Sequence, residues 1–149
     1  MENIRDLKEA VNTVIQIRMQ NMGELIANEM KSNLQGAGHV DTGALLESIR
    51  SETERDQNKI TTTIYADAQN PVNGAYYAEF IEMGTGAAHG RAGGRVGSWR
   101  YKDRHGNWHT TDGMDADPFI QPAVDKYIGD FVTEIVNDIA KYARTVNRS

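Results

Sequence analysis

The chain has 149 residues, 39% of them apolar, no cysteine and a formal net charge of −5. That length suits one ordinary domain, which buries about 68–70% of its unfolded surface and holds a core without disulfides or metal. The missing cysteines exclude a disulfide framework, a thiolate zinc site and a cysteine nucleophile, and fit a reducing compartment. No apolar run approaches the roughly 18 residues of a membrane span, and "MENIRDLKEA" carries no signal-peptide pattern. The acidic balance argues against general nucleic-acid binding.

In chain order, the first element is a long helix from residue 3 to about 34. Ile4, Leu7, Val11, Ile15, Met19, Met22, Ile26, Met30 and Leu34 recur at steps of three or four, with Val14 and Leu25 widening the stripe. Gly36 and Gly38 stop it. At 1.5 Å per residue it runs about 45 Å, longer than a compact domain of this size needs. After "DTGALL" come two strands separated by "RDQN". The second, with Ile60, Thr62, Ile64 and Ala66 alternating against Thr61, Thr63 and Tyr65, is the clearer. Its partner begins near Ile49 and is mostly polar on one face.

"AYYAEFIEM" predicts a short helix with Tyr77, Phe80 and Ile81 on one face, closed by Gly84. The stretch from 84 to 98 holds six glycines in fifteen residues and reads as a flexible loop, because glycine costs a helix about 1 kcal/mol per position. Residues 99–111 then predict a hairpin turning near His105-Gly106-Asn107, with Trp99 and Trp108 facing each other. The last helix opens with Asp117 as N-cap and Pro118 in its first turn. Its apolar residues come in pairs spaced by four from Phe119 and Ile120 to Ile135 and Val136. Each pair drifts about 40° around the helix, so the stripe winds toward more than one neighbour. The fold class that follows is α+β: a small antiparallel sheet flanked by a long N-terminal helix, a short middle helix and a long C-terminal helix, in one domain over 1–149.

The tetrapeptide Asp41-Thr42-Gly43-Ala44 matches the catalytic loop of retroviral-type aspartic proteases. Such a site needs apolar strands on both sides so that two carboxylates can share a proton. Here a long helix precedes the motif and helical sequence follows, so the reading preferred is a turn in which Asp41 caps a short helix beginning near Thr42. His105 and His109 would sit roughly 13 Å apart on a strand, too far for one metal ion, and are read with His89 as solvated loop residues. The glycine-rich loop lacks the Gly-Lys-Ser/Thr ending of a phosphate cradle. Glu79 and Glu82 have ordinary solvated-face spacing. No catalytic set stands out, and an enzyme is not expected.

Between His89 and His109, Arg91, Arg95, Arg100, Lys102 and Arg104 stand against Asp103 alone, a net of +4 that leaves −9 for the rest of the chain. With Trp99, Tyr101 and Trp108 interleaved, this arm suits an acidic protein surface better than nucleic acid, because five cations give modest affinity at physiological salt.

Three ordered segments, "VDTGALLESI", "YYAEFIEMGTG" and "DPFIQPAVDKY", resemble those of the tail-completion (head–tail joining) proteins of long-tailed bacteriophages. The matching positions are Asp41, Thr42, Gly43 and Leu45; Tyr77, Ala78, Glu82, Gly84 and Thr85; and Pro118, Phe119, Pro122 and Ala123. Where that family often has a basic residue before Pro-Phe, this chain has Asp117. The resemblance implies an α+β protomer without cofactor that assembles into a ring, hexameric in the finished particle, at the head-proximal end of the tail. There it would end tail-tube growth and join tail to head, in the virion and in host cytoplasm during assembly. Its partners would be copies of itself, the tail-tube protein and the neck connectors, with passing contact to packaged DNA and none to membrane. A head-closure or neck connector protein is the nearest alternative, and a small DNA-binding protein a more distant one. The arm residues Arg91, Arg95, Trp99, Arg100, Lys102, Arg104 and Trp108 are the expected contacts.

Overall fold

The computed structural model of the protein describes residues 4–38, 43–57, 59–71, 73–103 and 105–146. Asp41, Thr42 and Arg104 lie outside these residues. The elements in order are α1 (Ile4–Gly36), α2 (Ala44–Ser48), β1 (Ile49–Asp56), β2 (Lys59–Ala66), α3 (Tyr77–Met83), β3 (Trp99–Lys102), β4 (Trp108–Thr111) and α4 (Ile120–Val146). The fold is α+β, with two separate two-stranded sheets, β1–β2 and β3–β4. The chain divides into two compact units: residues 1–29, 50–65 and 123–149, and residues 30–49 and 66–122.

In the first unit α1 and α4 run antiparallel. Glu29 pairs with Lys126 at 2.8 Å, and further back along α1 Arg18 reaches Glu134 at 3.1 Å and Asp138 at 2.5 Å. Strands β1 and β2 alternate between exposed and half-buried positions, as a sheet with one covered face must. On the covered side the Thr53 and Thr62 hydroxyls bond across the strands at 2.8 Å. Gly23 is where α1 meets this sheet. A Cβ built there would stand 2.6 Å from the Thr62 methyl and 3.1 Å from Ser51 Cβ. The helix accepts a residue that costs it about 1 kcal/mol because any other would hold the hairpin away.

The four-residue spacing on α4 produces two rows rather than one stripe. Tyr127, Phe131, Ile135 and Ile139 are half-buried, whereas Ile128, Val132 and Val136 remain 50%, 63% and 58% exposed. On α1, Leu25 falls off the buried stripe at 49% exposure, since it lies about 100° from its buried neighbour Ile26.

The second unit has its core in Met30, Leu34, Leu45, Ile49, Ala78 and Phe119. The helix expected near Thr42 begins at Ala44, and the residue at its cap position is Gly43, with φ 76°. The hairpin forms, but its tryptophans do not oppose each other. Trp99 pairs with Thr111 and Trp108 with Lys102. The length of the Asp103–Asn107 turn sets this register, and alternation then puts the two indoles on opposite faces of the ribbon.

Gly23 and Gly129 make a matched test, since a Cβ at Gly129 would meet open space. Gly129→Ala should stabilise by about 0.5–1 kcal/mol. Gly23→Val should destabilise by about 1–3 kcal/mol through overpacking. Urea denaturation of both variants checks this, and similar effects at the two positions would remove close approach as the reason for Gly23.

Candidate functional site

The second unit joins the "YYAEFIEM" and "DPF" segments through one carboxylate. Glu82, near the end of α3, accepts the backbone N–H groups of Phe119 (2.8 Å), Ile120 (2.8 Å) and Gln121 (3.0 Å). The first amides of a helix have no partner within it and carry a partial positive charge, so a carboxylate there is favourable on both counts. Asn33 Nδ2 donates to the Phe119 carbonyl at 3.1 Å, and the Asp117 N–H donates to the Ile81 carbonyl at 2.9 Å. The N-cap expected at Asp117 is therefore displaced. Helix α4 opens at Ile120, after Pro118 and Phe119, and the side chain that reaches its first amides comes from α3. Exposed-face spacing within α3 concealed this role of Glu82, and only the Glu-x-Gly-Thr pattern pointed to that residue at all.

The glycine-rich stretch is built by close backbone approach. Gly84 and Gly86 have φ of 69° and 82°, and Cβ atoms there would lie 2.7 Å from Met114 O and 2.1 Å from Asp112 O. Between them Thr85 exchanges backbone bonds with Met114, N to O at 2.9 Å and O to N at 3.1 Å, and its hydroxyl accepts the same Met114 N–H at 3.1 Å. A short 3-10 turn, Ala87–His89, follows. His89 stands between two carboxylates, Nδ1 at 2.8 Å from Asp115 and Nε2 at 3.2 Å from Asp112. Both ring nitrogens can donate only in the imidazolium form. Asp115, then Asp112, raise the His89 pKa above its ordinary 6.5, and His89 in turn holds Asp112 below its ordinary value.

At the hairpin turn Asp103 accepts from His109 Nε2 (2.8 Å), the Asn107 and His105 backbone amides and the Asn107 side chain. His109, first among these, and the Asn107 amide after it hold the Asp103 carboxyl far below the usual range. His109 also stacks on Tyr101, with ring centroids 5.2 Å apart. The histidines expected to be solvated loop residues are thus, at 89 and 109, each engaged with aspartate. Local spacing hides such pairs, because the fold brings them together across 26 and 6 residues.

The expected contact residues separate into two groups. Arg91 is committed internally, donating to the Gly84 carbonyl at 2.9 Å and to Glu79. Arg95 lies over Trp99 (5.5 Å), while Arg100 (5.0 Å) and Lys102 (5.9 Å) both lie over the ring of Trp108. Trp108 is 60% exposed. One face of the ribbon therefore presents an open indole flanked by two cations, an arrangement worth about 0.5–1 kcal/mol per cation at an exposed site. In the first unit a groove passes between Asn12, Ile15 and Met19 of α1 and Arg55, Asp56, Gln57, Lys59 and Ile60 at the ends of β1 and β2.

These features define a small α+β protein whose β3–β4 ribbon presents an exposed indole and two exposed cations on one face. The family model that matches the chain, over residues 1–84, is described as "Bacteriophage HK97-gp10, putative tail-component". The chain belongs to this family and is a bacteriophage tail component. The match runs from α1 through the β1–β2 hairpin and α3 to Gly84. No curated protein and no solved structure matches the chain.

Two predictions follow from this geometry. Glu82→Ala should cost about 2–3 kcal/mol in chemical denaturation, since three amides lose a charged acceptor. Glu82→Gln should cost less, and a loss below about 0.5 kcal/mol for Glu82→Ala would deny the carboxylate its role. For His89 the folded pKa is raised, so its contribution is complete below the unfolded value near 6.5 and is lost as pH climbs through the folded one. For Asp112 the folded pKa is lowered, so its contribution is present above the unfolded value and is lost as pH falls through the folded one. Amide protection of residues 86–95, corrected for intrinsic exchange, should peak between these limits and fall on the alkaline side. His89→Gln should flatten that alkaline fall.

Proposed function

We propose that this tail component is a tail-completion protein. It forms a ring at the head-proximal end of the tail, ends tail-tube growth and joins the tail to the head, with no catalytic role. The observation that carries the reading is the exposed aliphatic row Ile128, Val132 and Val136 on α4, in a chain of a tail-component family. Three large aliphatic residues in line on a solvated helix mark a face that another protein covers. The ordered triplet of tail-completion segments supports the same reading, and its second and third members meet at Glu82.

Within this reading Gly43 serves a turn between α1 and the sheet, not a protease loop. The neighbours of the assembled subunit are further copies, the tail-tube protein and the neck connectors.

Electron microscopy of a lysate from phage lacking this gene tests the proposal. DNA-filled heads beside unjoined tails of uneven or excessive length are the expected outcome. Intact infectious particles would overturn it.

A further inference from the structure

The loop between β2 and α3 holds a peptide whose chemistry is independent of where the protein sits in the tail. Of the asparagines in the sequence, Asn73 alone is followed by glycine. The loop is closed at its base by an antiparallel bridge between Gln69 and Tyr76, and the Tyr77 N–H donates to the Ala68 carbonyl at 3.1 Å. Within it the Asn70 N–H donates to the Ala75 carbonyl at 2.8 Å. Asn73 and Gly74 are both exposed. Gly74 has φ 71°, and a Cβ there would meet nothing within 4 Å. Neither a side chain nor a neighbouring segment crowds that side of the Asn73–Gly74 peptide.

We propose that Asn73 is a site of spontaneous deamidation through a cyclic imide. The Gly74 nitrogen, once its proton has passed to hydroxide, bonds to Asn73 Cγ. The bond from Cγ to the side-chain nitrogen breaks, and that nitrogen leaves as ammonia with a proton from water. A second water then opens the imide. Opening at the main-chain carbonyl gives isoaspartate, whose backbone runs through Cβ and Cγ, and opening at Cγ gives aspartate. Nothing is oxidised or reduced. Two contacts govern the first step. The Ala75 N–H donates to Asn73 Oδ1 at 3.0 Å, which polarises the amide under attack and receives the negative charge that develops on this oxygen. The Gly74 N–H donates to the Asn70 carbonyl at 2.8 Å, so that bond opens before the nitrogen attacks. Opening of this kind, confined to an exposed loop, is among the least costly a folded chain makes.

Other asparagines are held differently. Asn33 lies in α1 with its side chain bound to the Phe119 carbonyl, and Asn107 precedes Trp108 and donates through its side chain to Asp103. Conversion of Asn73 to isoaspartate lengthens the backbone by a methylene and adds a carboxylate just ahead of α3. The Asn70–Ala75 bond and the Gln69–Tyr76 bridge fit the original loop length, so both are weakened in the product.

Peptide mapping by mass spectrometry, on the full chain held in buffers from neutral to alkaline pH, tests the proposal. The peptide containing Asn73 should gain the mass that separates a carboxylic acid from its amide, and should split into isoaspartate and aspartate forms. Methylation by an isoaspartate methyltransferase identifies the first form. Conversion should rise with pH, because it needs the Gly74 amide anion, and should exceed that at every other asparagine. Asn73→Gln, whose longer side chain closes a less favourable ring, should keep its amide over the same period while its circular dichroism matches the parent. Conversion in the urea-unfolded chain but not in the folded protein would overturn the proposal, since the Asn70 bond would then close the site. Comparable conversion at other asparagines, or none at Asn73 in either state, would overturn it too. Aspartate without isoaspartate would do the same, because it indicates direct hydrolysis with no imide.

Discussion

The Glu82 carboxylate is the point on which the second unit depends. A helix of 27 residues starts beside a buried phenylalanine, and its leading amides need acceptors at the moment they leave water. Glu82 provides two oxygens for three donors, and Asn33 holds the carbonyl of Phe119 from the other side. Phe119, 1% exposed, is thereby fixed through its backbone as well as its ring. The last turns of α1, the end of α3 and the start of α4 share this residue. The Gly84-Thr85-Gly86 crossing with residues 112–114 leaves α3 immediately after Glu82, so the two constraints act on one short piece of chain.

From that anchored piece the glycine-rich stretch is carried outward by interactions that consume most of its polar groups. His89 lies between two aspartates, and Arg91 is spent on Glu79 and a carbonyl. What reaches solvent is a different set, Arg95, Arg100 and Lys102, whose cations rest on indole rings. A cation held over an aromatic ring keeps its charge available to a further acid, which a salt-bridged cation does not. The sorting of arginines into structural and outward-facing ones follows from which acids the fold brings within reach.

The same division appears on α4. Pairing apolar residues at steps of four yields two adjacent rows, and in this chain one row is half-buried while the other remains in water. Burial of the second row would recover roughly 25 cal/mol for each Å² removed from water, which is the ordinary driving force for subunit association.

Much of this was readable from the residues. The two long helices follow from apolar spacing, the β1–β2 pair from alternation and β-branching, and the hairpin from its Gly-Asn turn, because all of these are local rules of period and propensity. The ordered segments also pointed to the phage tail family. The partners of Glu82, His89 and Asp103 were not readable, nor was the opposite facing of Trp99 and Trp108. A carboxylate three residues from another on a short helix looks solvated until a distant helix start arrives beside it. A hairpin's facing depends on a turn whose length in hydrogen bonds the letters do not display. Sequence by itself determined the elements, their lengths and the family, since those rest on interactions between near neighbours. Tertiary structure alone decided which charges are spent inside and which face outward, because that depends on distances between residues far apart in the chain.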